Sequence, residues 1–193
     1  MEQDEATLLA KLATNLDAAF EGLMTDNWPQ LLAFVLRRAT SQQDAEDILA
    51  EAWARAYLAL KGYPAERVRA LKLRAWLYKI TYHEYCRYMG RSASQAISLE
   101  LLPAEVVLGQ GDDQEYQPDR LFESAERRQA LEALVSSLPT RYREAVSLYY
   151  FEEFSYQEIA DLLDQPLGTI KSAIHRGIGL LRKGMNRQSN EVC

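Results

Sequence analysis

The sequence predicts an all-α chain, two small helical modules joined by a flexible acidic linker. Three observations carry that expectation. Apolar residues recur at three- and four-residue spacing through most of the chain, and strand-like alternation is nearly absent. Between Arg91 and about Pro118 the periodicity gives way to Ser, Gly, Gln and Asp, punctuated by Pro103 and Pro118. Charge changes at the same place. Residues 61–91 hold eight Lys/Arg against two Asp/Glu, residues 92–126 hold one against eight, and residues 155–187 hold five against three.

The elements follow in order. A first helix is expected over about 5–24. Pro29 can open a second, because proline suits a first helical turn, with Leu32, Val35 and Leu36 turned inward. Ser41, with Asp44 three residues on, marks the start of a third running to about Leu60, and Gly62-Tyr63-Pro64 ends it. A short helix over 65–72 and a longer one from about Leu73 to Gly90 complete the first module. The linker follows, with a turn of helix around Leu99–Val107 as an open question. Helices resume over 121–137, and Pro139 opens another that ends near Phe151. The domain expectation is 1–91, linker 92–120, and 121–187.

Ser155 and Glu158 form a capping-box pattern at the start of the next helix, with Ile159, Leu162 and Leu163 as its apolar face. Asp164-Gln165-Pro166 breaks it, since proline lacks a donor and disfavours helix in the residue before it. A second helix begins near Leu167–Thr169 and buries Ile170, Ile174, Ile178 and Leu181. Lys171, Ser172, His175 and Arg176 fall on its other side. Helix, tight turn and a helix that opens with basic and polar residues is the arrangement that enters a DNA major groove. The alternative is an ordinary helical hairpin with a solvated basic face. Local charge favours the first: from Gln165 to Arg187 there are five Lys/Arg and no Asp/Glu in a chain of net charge −6.

Composition bounds the rest. The 193 residues are 48% hydrophobic, enough for packed cores, and no apolar run approaches the twenty residues of a membrane span. The acidic N-terminus shows no secretory pattern, and Cys86 with Cys193 form no disulfide framework, so reduced thiols in a cytoplasm are expected. His83 and Cys86, spaced HxxC, and His175 with Cys193 lack the grouping of a metal centre. Neither metal nor other cofactor is expected, and Cys86 reads as a small semi-buried residue.

Two further helix faces are candidates for binding. On the helix at 42–60, Asp44, Asp47 and Glu51 share one side, opposite an apolar side that includes Ile48, Ala52, Trp53 and Ala56. Glu51 can pair with Arg55. That acidic side is either a solvated surface or a dock for a basic partner. On the helix at 73–90, Arg74, Lys79, Arg87 and Arg91 are interleaved with Trp76, Tyr78, Tyr82, Tyr85 and Tyr88, and one apolar stripe does not use so many rings. Aromatic rings stack on unpaired bases at about 1–3 kcal/mol per base while cations follow the backbone, so the face suits melted DNA. The alternative is amphipathic tyrosines at the edge of a core.

Together the modules resemble the extracytoplasmic-function sigma factors of bacterial RNA polymerase. The resemblance covers nearly all of residues 28–185. DAEDILAEAWARAY at 44–57 is similar to the polymerase-docking helix of region 2. LRAWLYKITYHEYCRYMGR at 73–91 is similar to the helix that melts and reads the −10 element. LPTRYREAVSLYYFEEFSYQEIADLLDQPLGTIKSAIHRGIGLLRK at 138–183 is similar to region 4, which reads the −35 element. The resemblance implies a transcription-initiation factor without enzymatic activity, whose partners are core RNA polymerase (β′ clamp helices and β flap), promoter DNA and an anti-sigma factor. It implies polymerase contacts from Asp44, Asp47, Glu51 and Trp53. The −10 contacts fall on Arg74, Trp76, Tyr78, Lys79, Tyr82, His83 and Arg87, and the −35 contacts on Thr169, Lys171, Ser172, His175 and Arg176. It departs from the family pattern at Ala50, where Gln is frequent, at Tyr82 and His83, where Arg and Asn are usual, and at Ala173, where Arg is frequent. A known promoter sequence therefore does not transfer.

Physical reach agrees with the resemblance. A 30-residue linker extends to at most about 100 Å, and one duplex turn is ~34–36 Å. The linker's acidity either mimics a polyanion in polymerase channels that later carry RNA or only keeps the segment unfolded. Three rivals remain: a helix-turn-helix regulator binding operator DNA alone, which gives no use for the helix at 73–91; a sigma mimic that sequesters an anti-sigma factor; and a metal hydrolase, which the scattered His and Cys do not support.

Overall fold

The computed structural model describes residues 2–95 and 125–191, and the described residues contain helices and turns only. The chain divides into two compact units, Met1–Leu102 and Pro103–Cys193. The expected helical turn near 99–107 lies outside the described residues.

The first unit holds α1 (Glu2–Thr14), α2 (Leu16–Leu36), α3 (Gln42–Gly62), α4 (Ala65–Arg69) and α5 (Leu73–Gln95). The helix expected over 5–24 is two helices. Asn15 stops one and caps the next, its side-chain oxygen accepting from the Ala18 N–H at 3.3 Å. Pro29 does not open a helix either, because α2 runs straight through it. A proline inside a helix costs about 3 kcal/mol. Continuity offsets that cost by keeping Leu23, Leu31 and Phe34 on one fully buried stripe. The same phase turns Leu36 outward, contrary to expectation, while Val35 is buried as expected.

Ser41 caps α3 as its spacing predicts, accepting from the Asp44 N–H at 3.0 Å. Ala45, Ile48, Leu49, Ala52, Trp53, Ala56 and Leu60 form the buried face of α3. That face packs on α2 and α5. Helix α1 lies on α2 and α4, and it reaches further: the Leu73 N–H, at the first residue of α5, donates to the Glu5 carboxylate at 3.2 Å. An acid from one helix thus satisfies one of the orphan donors at the start of another.

The second unit holds α6 (Ala125–Ser136), α7 (Thr140–Tyr150), α8 (Tyr156–Leu163) and α9 (Leu167–Glu191). Leu131, Val135, Leu138, Val146 and Leu181 form its buried cluster. The capping box is complete. Ser155 Oγ accepts from the Glu158 N–H at 3.3 Å, and the Ser155 N–H donates to the Glu158 carboxylate at 2.9 Å. Asp164 ends α8 in the left-handed conformation at φ 51°, which Asp tolerates better than most residues. The Gln165 N–H donates back to the Ala160 carbonyl, and Pro166 then precedes α9. Gly177 lets α9 approach α7: a Cβ there would stand 2.4 Å from Val146 Cγ2.

Candidate nucleic-acid interface

In the second unit, α9 separates its faces as the spacing predicts. Ile170, Ala173, Ile174, Gly177 and Leu181 are buried, and Ile178 is half-buried rather than fully so. Thr169, Lys171, His175 and Arg176 are exposed and Ser172 is half-buried, so all five candidates lie on the accessible side. Arg182 and Lys183 continue that side one to two turns on. Four exposed cations, Lys171, Arg176, Arg182 and Lys183, thus lie along one helix of a helix-turn-helix, the charge and shape that suit duplex phosphates. Ala173 is buried, so its departure from the family pattern falls on the packed side of the helix.

In the first unit, α5 is less simply divided. Leu73, Leu77 and Tyr78 are buried together with Thr81 and Glu84. The Thr81 hydroxyl donates to the Leu77 carbonyl at 2.9 Å. Tyr78 is therefore corrected: at 4% exposed it is a core residue, its ring edge-on to Phe34 with centroids 4.9 Å apart. Its helical phase, one residue after Leu77, puts it at the α2 boundary rather than in solvent. Trp76, Lys79, His83 and Cys86 recur at i, i+3, i+7 and i+10 on one side, where Trp76 and Lys79 are half-buried, like Tyr82 beside them. His83 and Cys86 are exposed, so Cys86 is not the semi-buried residue expected. Arg74 is exposed at the start of the helix, 5.5 Å from the Tyr78 ring centroid.

The surface extends beyond the residues that sequence reasoning singled out. Tyr63 packs against Trp76 with ring centroids 6.3 Å apart, and the Arg67 guanidinium stacks on Tyr63 at 3.8 Å. Lys61, Arg67, Arg69 and Lys72 are all exposed around α4. The signal for them was the charge of residues 61–91, which was not resolved onto the short helix.

The acidic face of α3 is also more engaged than its spacing implied. Asp47 is exposed and accepts from the Gln43 amide at 3.1 Å. Asp44 accepts from the Thr40 hydroxyl and from the Tyr88 hydroxyl, each at 2.6 Å, the second reaching across to α5. Bonds from Thr40, Tyr88 and Ser41 hold its carboxyl below the ordinary 3.8. The same bond, with burial and the Asp44 charge, pushes the Tyr88 phenol above its ordinary 10.0. Glu51 pairs with Arg55 and with Arg87 at 3.2 Å each, and Glu84 pairs with the same two arginines. Arg87 is thus tied to two carboxylates. Trp53 is 4% exposed and edge-on to Phe20 at 5.7 Å, so it packs in the core beneath the acidic face of α3 instead of lying on its surface.

Among the described residues no His, Cys, Asp and Glu cluster could hold a metal ion, and no helix is long and apolar enough to cross a membrane.

Comparison with known proteins assigns a family region to each of the two units. Residues 23–95 match the family Sigma-70 region 2, and residues 128–181 match Sigma-70, region 4. The chain is 32% identical over 143 residues to the ECF RNA polymerase sigma factor SigW of Bacillus subtilis, covering 72% of this chain and 74% of that protein. It is 29% identical to the ECF RNA polymerase sigma-E factor of Escherichia coli over 80% of each. It is 28% identical to SigE of Mycolicibacterium smegmatis over 91% of this chain, spanning 65% of that protein's length. Two solved structures share the fold. CnrH, in complex with the cytosolic domain of CnrY, has a TM-score of 0.63 at 18% identity, covering 95% of this chain and 97% of that one. RpoE from Bartonella quintana, in complex with the anti-sigma factor NepR, has a TM-score of 0.59 at 22% identity, covering 86% and 96%. Two matched regions in the expected order, on two helical units with the expected exposed faces, place this chain in the family of ECF sigma factors of RNA polymerase.

Proposed function

We propose that this chain binds core RNA polymerase and directs promoter-specific initiation, with the first unit reading a −10 element and the second a −35 element. The observation that carries the reading is an exposed cationic surface in each unit: Arg74 with Lys61, Arg67, Arg69 and Lys72 around α4, and Lys171, Arg176, Arg182 and Lys183 along α9. Residues 1–91 form the docking and −10 domain, 92–120 the linker, and 121–187 the −35 domain. Asp47 and Glu51 dock α3 on a basic polymerase surface such as the β′ clamp helices, and complementary charge steers the encounter. Asp44 shapes that face through Tyr88, and Trp53 supports it from the core. Arg74, Trp76, Lys79, Tyr82 and His83 face the −10 DNA, and the cations around α4 extend the track for its phosphates. Lys171, Ser172, His175 and Arg176 meet the −35 duplex, with Thr169 and the start of α9 on a phosphate.

The factor performs no chemistry itself and works in the cytoplasm, where polymerase is. An anti-sigma partner is supported by the structural neighbour RpoE, which is in complex with the anti-sigma factor NepR.

In-vitro transcription with core polymerase and a promoter library tests the reading. Arg176→Ala should reduce promoter-specific transcription while a polymerase pull-down stays intact. Asp47→Arg, which leaves the Glu51 ion pairs alone, should weaken the pull-down. Identical failure of both variants in the pull-down would refute the division of labour.

A further inference from the structure

Helices α3 and α5 are joined by a closed ring of four charges, of which the proposed contacts use only Glu51. Arg55 and Glu51 come from α3, Glu84 and Arg87 from α5, and each carboxylate touches both guanidiniums. The two acids differ in burial. The Glu84 side chain is 8% exposed and the Glu51 side chain is 53% exposed. A buried carboxylate needs its partners, because an unpaired charge there has lost its water. An exposed carboxylate exchanges partners at little cost.

We infer that Glu84 is a positioning residue for promoter recognition, locking the DNA-facing helix to the docking helix through Arg55 and Arg87, and that Arg87 is a strut rather than a DNA contact. The inference rests on the function proposed above. Glu51 is the exchangeable member of the ring. When polymerase supplies a cation to Glu51, Glu84 still holds both arginines, so α5 keeps its place while α3 docks. A ring with Glu51 alone would force docking to compete with the α3–α5 contact. Arg87 meets both carboxylates through the one nitrogen Nη2, while Arg55 reaches Glu51 through Nη2 and Glu84 through Nε, the latter as an ion pair without a hydrogen bond.

The test uses the full-length chain, free and as holoenzyme. In the free chain, Glu84→Gln should raise hydrogen-exchange rates of α5 amides at least about tenfold and leave α9 amides unchanged, since exchange reports local opening. Arg87→Ala should do the same, and the double variant should be no worse than either single one, as for residues acting through one network. In holoenzyme, both should keep core affinity within about twofold and lower open-complex formation about tenfold, read by permanganate reactivity of unpaired thymines. Salt dependence separates a strut from a phosphate contact: Arg87→Ala should leave the slope of log K against log salt unchanged, whereas a phosphate contact would lower it by about one. A lowered slope, unaltered α5 exchange, full opening by Arg87→Ala, or an additive double variant each overturns the inference. Failure of the unmodified chain to bind core polymerase would instead defeat the functional reading, and the exchange measurement would still decide the lock.

Discussion

Gly177→Ala tests how closely the recognition helix is fitted to its support. The added methyl would lie 2.4 Å from Val146 Cγ2, 3.4 Å from Tyr142 Cβ and 3.7 Å from Leu138 Cδ1. Carbon pairs settle at about 3.5–4.0 Å, so the last two contacts are ordinary and the first is more than ~1 Å too short. Val146 is fully buried and sits inside α7, where a valine has essentially one rotamer, so its methyl has nowhere to retreat. Two terms oppose each other. Alanine gains about 1 kcal/mol over glycine in a helix interior. Overpacking costs about 1–3 kcal/mol, and a rigid neighbour puts it near the upper end. Net destabilisation of about 2 kcal/mol is expected, confined to the second unit. Val146→Ala in the same chain should relieve the clash, giving a coupling of about 1–3 kcal/mol in the double-mutant cycle. Native-state hydrogen exchange over 138–183 reads the effect. All three tryptophans, Trp28, Trp53 and Trp76, lie in the first unit, so their fluorescence serves as an unchanged control. A Gly177→Ala chain more stable than the original, or strict additivity with Val146→Ala, would refute the close-approach argument.

Four further perturbations have defined outcomes. Ser155→Ala should cost about 1 kcal/mol in the second unit, with Glu158→Ala adding less than its separate effect because the two caps are reciprocal; urea titration followed by exchange in α8 measures both. The Asp44–Tyr88 bond should contribute across neutral pH. The depressed carboxyl loses its contribution as pH falls below 3.8 through its folded value, and the raised phenol loses its contribution as pH climbs from 10.0 through its own. Asp44→Asn and Tyr88→Phe should therefore flatten stability–pH curves at the acid and alkaline ends respectively. Tyr78→Ala should cost about 3–5 kcal/mol as a core truncation. His83→Ala should change stability by less than about 0.5 kcal/mol yet reduce transcription from a cognate promoter, and paired thermal melts with in-vitro transcription compare the two.

Local chemistry was legible in the sequence wherever one residue decides a helix end. Ser41, Ser155 with Glu158, and Asp164-Gln165-Pro166 do what their side chains dictate. The faces of α9 were also legible, because a single apolar stripe there meets a single core. Three features were not. Asn15 ends α1 without Gly or Pro, by a cap that also reads as mid-helix asparagine. Pro29 continues α2 because buried leucines on both sides outweigh its local cost, a tertiary effect that no window around the proline contains. Tyr78 and Glu84 exchange the places that composition suggests: a tyrosine among exposed aromatics is core, and an acid in a basic segment is buried between arginines. Glu84 did leave a trace, since it falls on the phase of Leu73, Leu77 and Thr81, where a charged residue must find partners.

Helix α1 lies ahead of the segment that matches region 2, which begins at residue 23. Its Glu5 carboxylate nonetheless holds the first amide of α5. A fragment trimmed to the matched boundary would lose the splint at the root of α5. Expression plans that treat the leading dozen residues as dispensable would yield a domain whose longest described helix is frayed at its first turn.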